Sequence, residues 1–312
     1  MPELGDRSGG AAAFDDQALP FQIESSRLRG RLVRLGPALH EVLDRHDYPP
    51  PVATLLGEML TLAVLMATAL KFDGFFTLQA RGNGPVSLLV ADITSDGALR
   101  GYAGFDPDKA ATVAATANEG PVGRWLGQGH LAFTVDQGEH TQRYQGIVEL
   151  VGDTLSGCLQ HYFRQSEQID AGIQVAVAKN ADGAWRSGGL MIQRLPGPQA
   201  DLTPSDHEDD WRRAMVLMAS VTDAELLSPS LASTDLLYRL FHEDGVRVFD
   251  PKPLAAQCRC SAEKVSKVLA ALPEAEVAGL TEDDGLVHVA CEFCTTDYTF
   301  GPEDLARLYA NT

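Results

Sequence analysis

Four of the five cysteines fall in two close pairs, Cys258-Arg-Cys260 and Cys291-Glu-Phe-Cys294, with thirty residues between them. Each pair can supply half of a tetrahedral cage, and sulfur is the preferred donor for zinc in such sites. Four thiolates leave no position open to water, so the set points to a structural ion rather than a hydrolytic one. The same residues also admit two disulfides, or two unrelated pairs buried in a core. A CxxC can exchange disulfides with a substrate, but no βαβ pattern surrounds Cys291 and Cys294.

The neighbouring residues add little chemistry. His288 lies three positions before Cys291, and strand alternation turns it to the opposite face. Ser261-Ala-Glu-Lys264 has the SxxK spacing of β-lactamase-type enzymes, yet neither Ser-Asp-Asn nor Lys-Thr-Gly accompanies it. Ser261 reads instead as a helix cap with Glu263 in the first turn. Cys158 falls on an apolar helix face and reads as a small buried hydrophobe. There is no phosphate-binding glycine loop and no GxSxG, so an ATP-driven machine and an ordinary hydrolase both lack their parts. The sequence gives no reason to expect an enzyme.

The elements that must position the cysteines can be read around them. Ser261 opens a helix to about Leu272. Val287, Val289 and Cys291 alternate as a strand, with Cys294–Phe300 as its hairpin partner, and Gly301-Pro302 turns into a final helix. A segment this short rarely folds on a core alone, and zinc is the obvious staple. From Leu240 onward there are six Lys and Arg against thirteen Asp and Glu. A module that reads nucleic acid should be basic.

The whole chain has 312 residues, enough for more than one domain, and a formal net charge of −18. Such acidity argues against a phosphate-backbone partner. Met1–Pro20 has neither the basic start nor the apolar run of a signal peptide, and is expected to be a disordered tail. The cysteines are then expected in a reducing cytoplasm, where metal or redox chemistry is favoured over permanent disulfides. Val52–Leu70 carries one charge, Glu58. It is long enough to span a bilayer but reads as a buried central helix, so no membrane partner is expected.

Residues 21–198 alternate strands, turns and a few helices without strict βαβ order, which predicts an α+β domain. The basic and apolar alternation at Arg27–Arg34 reads as a strand or an extended arm, its small run of arginines as a solvated strand face. A helical linker is predicted over 199–240 and a zinc-binding domain over 241–312. In the linker, Trp211, Met215, Met218 and Val221 share an apolar stripe at helical spacing. It should pack on the core at rest, and would offer an adaptable sticky surface if freed. Leu88, Leu89 and Val90 are a second candidate for an exposed apolar face.

From Phe21 onward these residues resemble one family, the bacterial redox-regulated chaperone called heat-shock protein 33. The blocks are Arg29-Gly-Arg-Leu-Val-Arg-Leu35, Leu55-Leu-Gly-Glu58, Lys71-Phe-Asp-Gly74, Gly84-Pro85, Leu99-Arg-Gly-Tyr-Ala103, Tyr162-Phe-Arg-Gln-Ser-Glu-Gln168 and Gly188-Gly-Leu-Met-Ile-Gln-Arg-Leu-Pro196. The cysteine pairs, followed by Tyr298 and Phe300, are the most specific part. The chain departs before Phe21 and ends soon after its last helix.

The resemblance implies one zinc held by Cys258, Cys260, Cys291 and Cys294 in a reduced, inactive protein. It implies that oxidants join the two cysteines within each pair and that zinc is lost. The protein then holds unfolding clients without ATP, as a homodimer. Zinc keeps the sulfurs as the thiolates that oxidants attack. Structural zinc contributes on the order of 10–16 kcal/mol to such domains, against about 5–15 kcal/mol for a whole fold. Losing it should therefore unfold the module and free the linker stripe. A zinc-stabilised thiol oxidoreductase, or a zinc adaptor without redox response, are the alternatives.

Overall fold

The structure, a computed structural model, describes residues 15–26, 28–116, 122–137, 144–194 and 204–310. Most of the expected amino-terminal tail, the tip of the hairpin after Gln137 and the expected start of the linker at 199–203 lie outside the described residues. The chain divides into two compact units, Met1–Ala256 and Gln257–Thr312.

The first unit opens with strands β1 (Gln17–Ile23) and β2 (Leu28–Leu35), then helices α1 (Pro37–Asp44) and α2 (Pro50–Ala69). Strands β3 (Phe75–Gly82), β4 (Val86–Thr94) and β5 (Ala98–Phe105) follow, then α3 (Pro107–Thr116) and the single turn α4 (Val122–Trp125). The pair β6 (Gly129–Asp136) and β7 (Tyr144–Glu149) leads to α5 (Leu155–Tyr162), which runs on as a π-helical turn, Phe163–Glu167. After β8 (Ala171–Lys179) and β9 (Trp185–Arg194) come α6 (Pro204–Ala219), α7 (Asp223–Leu227) and α8 (Ser233–Phe241). Three short strands, β10 (Val246–Val248), β11 (Lys252–Pro253) and β12 (Ala255–Ala256), complete the unit. The α+β class read from the sequence is the class observed.

Two sheets are formed. One runs β10-β1-β2-β9-β8, with β11 also on β1, and the other runs β12-β5-β4-β3-β6-β7. Helix α2 packs against both. It is apolar nearly all round, which is the pattern of an enclosed helix rather than a half-exposed one, and its side chains form the middle of the main core with Phe76, Leu89, Ile93 and Met191. Among the described residues it is the one helix long and apolar enough to cross a membrane, and most of it is buried in the protein. Its charged residue, Glu58, accepts from the Ser156 backbone N–H at 3.1 Å and the Ser156 hydroxyl at 2.8 Å, at the start of α5. Burial pushes the Glu58 carboxyl up despite these donors.

The other face of the first sheet is covered by α6, α7 and α8. Phe21, Ile23, Leu32, Leu190 and Ile192 meet Met218, Leu226, Leu237 and Phe241 in a second core. Helices approach closely where the strands carry glycine. A methyl on Gly188 would strike the Leu226 carbonyl, and one on Gly172 would come within 2.5 Å of the Met215 sulfur.

Three sequence expectations are corrected. Residues 17–20 are strand, not tail, and Asp16 caps α1 by accepting from the Gly36 and Ala38 N–H groups at 2.8 and 3.0 Å. Val246–Ala256 belongs to the sheets of the first unit, so the compact second unit begins at Gln257 rather than 241. The arginines of β2 do not share one solvated face. Arg34 is 1% exposed and donates to the carbonyls of Glu225, at 3.0 Å, and Ser228. Arg31 donates to the Thr68 carbonyl at 3.1 Å. Carbonyls in the last turn of a helix lack intrahelical donors, and a cation there also meets the negative end of the helix dipole. Arg186 is a third such arginine, donating from Nε to the Leu227 carbonyl at 3.0 Å, while its other nitrogens pair with Asp15.

The second unit holds α9 (Ala262–Ala270), α10 (Glu274–Ala278), the hairpin β13 (Val287–Ala290) and β14 (Asp297–Phe300), and α11 (Pro302–Ala310). Its core of fully buried side chains is Leu269, Val277, Val287 and Phe300.

Candidate metal centre

Each cysteine pair is set by local backbone chemistry. Cys258 and Cys260 lead straight into α9, whose first turn is capped by Ser261 accepting from the Lys264 N–H at 3.3 Å. Lys264 turns its ammonium back to the Arg259 carbonyl between the two cysteines. The SxxK spacing is therefore a cap and a tether. Cys291 and Cys294 occupy the turn joining β13 to β14. The N–H groups of Cys294 and Thr295 donate to the Cys291 carbonyl at 3.3 and 2.8 Å, and the Cys291 N–H donates to the Thr296 carbonyl at 3.0 Å. Thr295 takes a left-handed φ of 56° to close it.

These two knuckles bring all four sulfurs within 4.8 Å of one another. Cys258 and Cys291 stand 3.8 Å apart, and Cys260 and Cys294 3.3 Å. Four sulfurs at the usual zinc distance of about 2.3 Å would be about 3.8 Å apart along a tetrahedral edge, so the set fits such an ion. His288 is outside the cluster. Its Nε2 pairs with Asp284 at 2.9 Å.

Side chains beside the cage act on the sulfurs. The Tyr298 hydroxyl donates to Cys260 at 3.0 Å, and the Thr296 hydroxyl lies 3.2 Å from Cys294. Without a metal Cys260 and Cys294 are pushed in opposite directions. Burial pushes Cys260 up to about 12, whereas at Cys294 burial is outweighed by hydrogen bonds from Thr296 and the other thiols, which bring it down to about 6. Metal binding needs all four as thiolates and so releases the remaining protons.

The family model described as Hsp33 protein matches residues 16–301. The chain belongs to the Hsp33 family. The 33 kDa chaperonin of Caulobacter vibrioides strain NA1000 is 44% identical over 292 residues, covering 93% of this chain and 96% of that protein. The 33 kDa chaperonin of Ectopseudomonas mendocina is 39% identical over 298 residues, covering 95% and 96%. A crystal structure of the Thermotoga maritima 33 kDa chaperonin, a heat-shock protein 33 homologue, has the same fold, with a TM-score of 0.76 over 94% of this chain and 97% of that one at 24% identity.

The remaining sequence-predicted residues of this Hsp33-family chain are not part of the cage. Met218 and Val221 are buried against the first sheet, and Trp211 and Met215 are half-buried at the edge of the same cluster. The Arg194 guanidinium lies over the Trp211 ring at 5.3 Å. Of the second candidate face, Leu89 is fully buried in the main core, whereas Leu88 and Val90 alternate to the other side of β4 and are half-buried. Cys158 is buried and donates to the Val151 carbonyl at 3.3 Å. Sequence reasoning missed Arg34 and Arg186 as clasps of α7, and it reached Tyr298 only through the resemblance, without its bond to Cys260.

Proposed function

We propose that this Hsp33-family protein is a redox-controlled, ATP-independent holdase whose reduced form keeps one zinc ion on Cys258, Cys260, Cys291 and Cys294. The observation that carries the reading is a four-sulfur cluster in a unit whose core, among the described residues, has four buried side chains with six partly buried ones packed against them. So small a core rarely holds a fold together without a staple. Bound zinc would supply that staple and hold the sulfurs as thiolates.

The switch follows from the thiolates. One attacks peroxide, takes an oxygen as sulfenic acid and releases hydroxide. The partner thiol of the same pair displaces water and closes the disulfide, so two electrons pass from two sulfurs to the oxidant. The resemblance supports pairing within Cys258/Cys260 and within Cys291/Cys294. A disulfide sulfur is a poor donor, so the oxidised cage no longer holds the ion and the second unit loses its staple. The chain leading into that unit runs through β10–β12, strands of only two or three residues. Their loss would loosen α6–α8 and bare Met218, Val221 and the sheet face beneath. That surface is the proposed site for unfolding client proteins. A cytoplasmic location and a homodimer in the active state belong to the same reading.

The test is a paired measurement on reduced protein. Bound zinc is counted, peroxide is added under mild heat, and zinc release is followed beside suppression of a model client's aggregation. One ion per chain, released as suppression appears, is the expected result. Zinc that stays bound with no suppression would leave a structural zinc protein and overturn the proposal.

A further inference from the structure

The block Tyr162-Phe-Arg-Gln-Ser-Glu-Gln168 takes no part in the cage or in the helices that cover the first sheet. It is where α5 passes into the π-helical turn, which Gln168 ends at a left-handed φ of 54°. Turns of this kind are rare and recur at functional sites, and a non-glycine residue at positive φ is uncommon. The turn brings the Glu167 carboxylate onto two tyrosines, accepting from Tyr144 at 2.6 Å and from Tyr162. Beside them is a cavity of about 230 Å³. Its wall is apolar, built from the buried side chains of Met66, Phe133 and Phe163, with Leu70 at the mouth and 43% exposed.

One cation lines this cavity. Arg29 stands on β2 opposite Gln193, which also lines it. The Arg29 Nε is out of water and has no hydrogen-bond partner. Its neighbour Arg31 is engaged by the Thr68 and Gly30 carbonyls. Among the described residues no carboxylate pairs with Arg29. A guanidinium with an unpartnered Nε thus borders a largely apolar room whose carboxylate, Glu167, is already held by two tyrosines.

We propose that this cavity binds a small apolar monocarboxylate, its carboxylate on Arg29 and its hydrocarbon or aromatic body against Met66, Phe133 and Phe163. The planar fork of an arginine matches a carboxylate in a bidentate pair. Glu167 on the same lining disfavours a dianion such as a phosphate monoester more than a single carboxylate. Size agrees as well: an apolar cavity of about 150 Å³ accommodates benzene, so this one has room for a chain of roughly six to eight carbons or a phenyl-bearing acid.

The test titrates octanoate, and 1-octanol as its uncharged counterpart, into the reduced full-length protein by calorimetry. Octanoate should bind at one site and raise the melting temperature, with octanol at least about tenfold weaker. Arg29→Gln should weaken octanoate by about tenfold or more, the scale of one charge-assisted hydrogen bond, and leave octanol unchanged. Leu70→Trp, at the exposed mouth, should block both ligands, and it keeps the test decisive if the Arg29 variant does not fold. No octanoate binding, equal affinity for the two ligands, or octanoate binding indifferent to Leu70→Trp would each overturn the proposal.

Discussion

The Tyr298 hydroxyl donates a hydrogen bond to the Cys260 sulfur at 3.0 Å, from the strand that follows the second cysteine knuckle. The donor steadies negative charge on that sulfur and fixes its direction toward the other three. Outer contacts of this type tune metal affinity by about 10–100-fold. Tyr298→Phe should keep one zinc per chain yet lose it to a competing chelator at about tenfold lower concentration. An unchanged competition curve would show that the hydroxyl does not tune the cage.

Removing a ligand should do more than weaken binding. Cys260→Ser deletes one corner of the sulfur cluster, and a core of four buried side chains is left to hold the second unit. The expected outcome is a protein without stoichiometric zinc, with that unit unfolded by hydrogen exchange and no normal response to peroxide. Full zinc occupancy with an unaltered peroxide response would count against the proposed switch.

Arg34 is the buried tie between β2 and the end of α7, through the carbonyls of Glu225 and Ser228. Hydrogen bonds to a charged group contribute about 1.5–3 kcal/mol each. Arg34→Met should therefore loosen α7 and the helices beside it. Aggregation assays on the reduced variant should show partial client protection with no oxidant present. A reduced variant as inactive as the parent would mean that this clasp does not restrain the covered face.

Glu58 gives the chain a pH signature. Burial raises its folded pKa above the ordinary carboxyl value. Over the window from that ordinary value up to the raised one, the folded state binds the extra proton. This contribution is complete at the acid side of the window and is lost as pH rises through it. Glu58→Gln has no such proton. Urea melts from pH 5 to 8 should show the variant gaining on the parent as pH rises, by at most about 1.4 kcal/mol per pH unit. Parallel profiles would mean that Glu58 titrates normally.

The cage was legible because its donors are one residue type in two local pairs, and the spacing of Cys258, Cys260, Cys291 and Cys294 is itself the signal. Hairpins such as β8–β9 were legible because their alternation ends at a turn-forming Asn180-Ala-Asp-Gly183. The roles of Arg31 and Arg34 were not. Their acceptors are main-chain carbonyls 37 and 194 residues away, and a sequence displays side chains rather than unfilled carbonyls. The segment 246–256 was assigned to the wrong unit because strands of two or three residues are too short to show a period of two. The π-helical turn depends on a shift of backbone hydrogen bonding that no side-chain pattern announces.

Gly188 lets the backbone of α7, and Gly172 the Met215 side chain of α6, rest on bare strand, which draws both helices close to the sheet. Lifted away, they would leave a shallow apolar shelf with dents a methyl deep where those strands have no side chain. A surface of that kind sets no size or shape for what lies on it, so leucine, phenylalanine or methionine from unrelated chains could settle there equally well. Broad tolerance in the partner would then be written into the smallest residues of the sheet rather than into its largest ones.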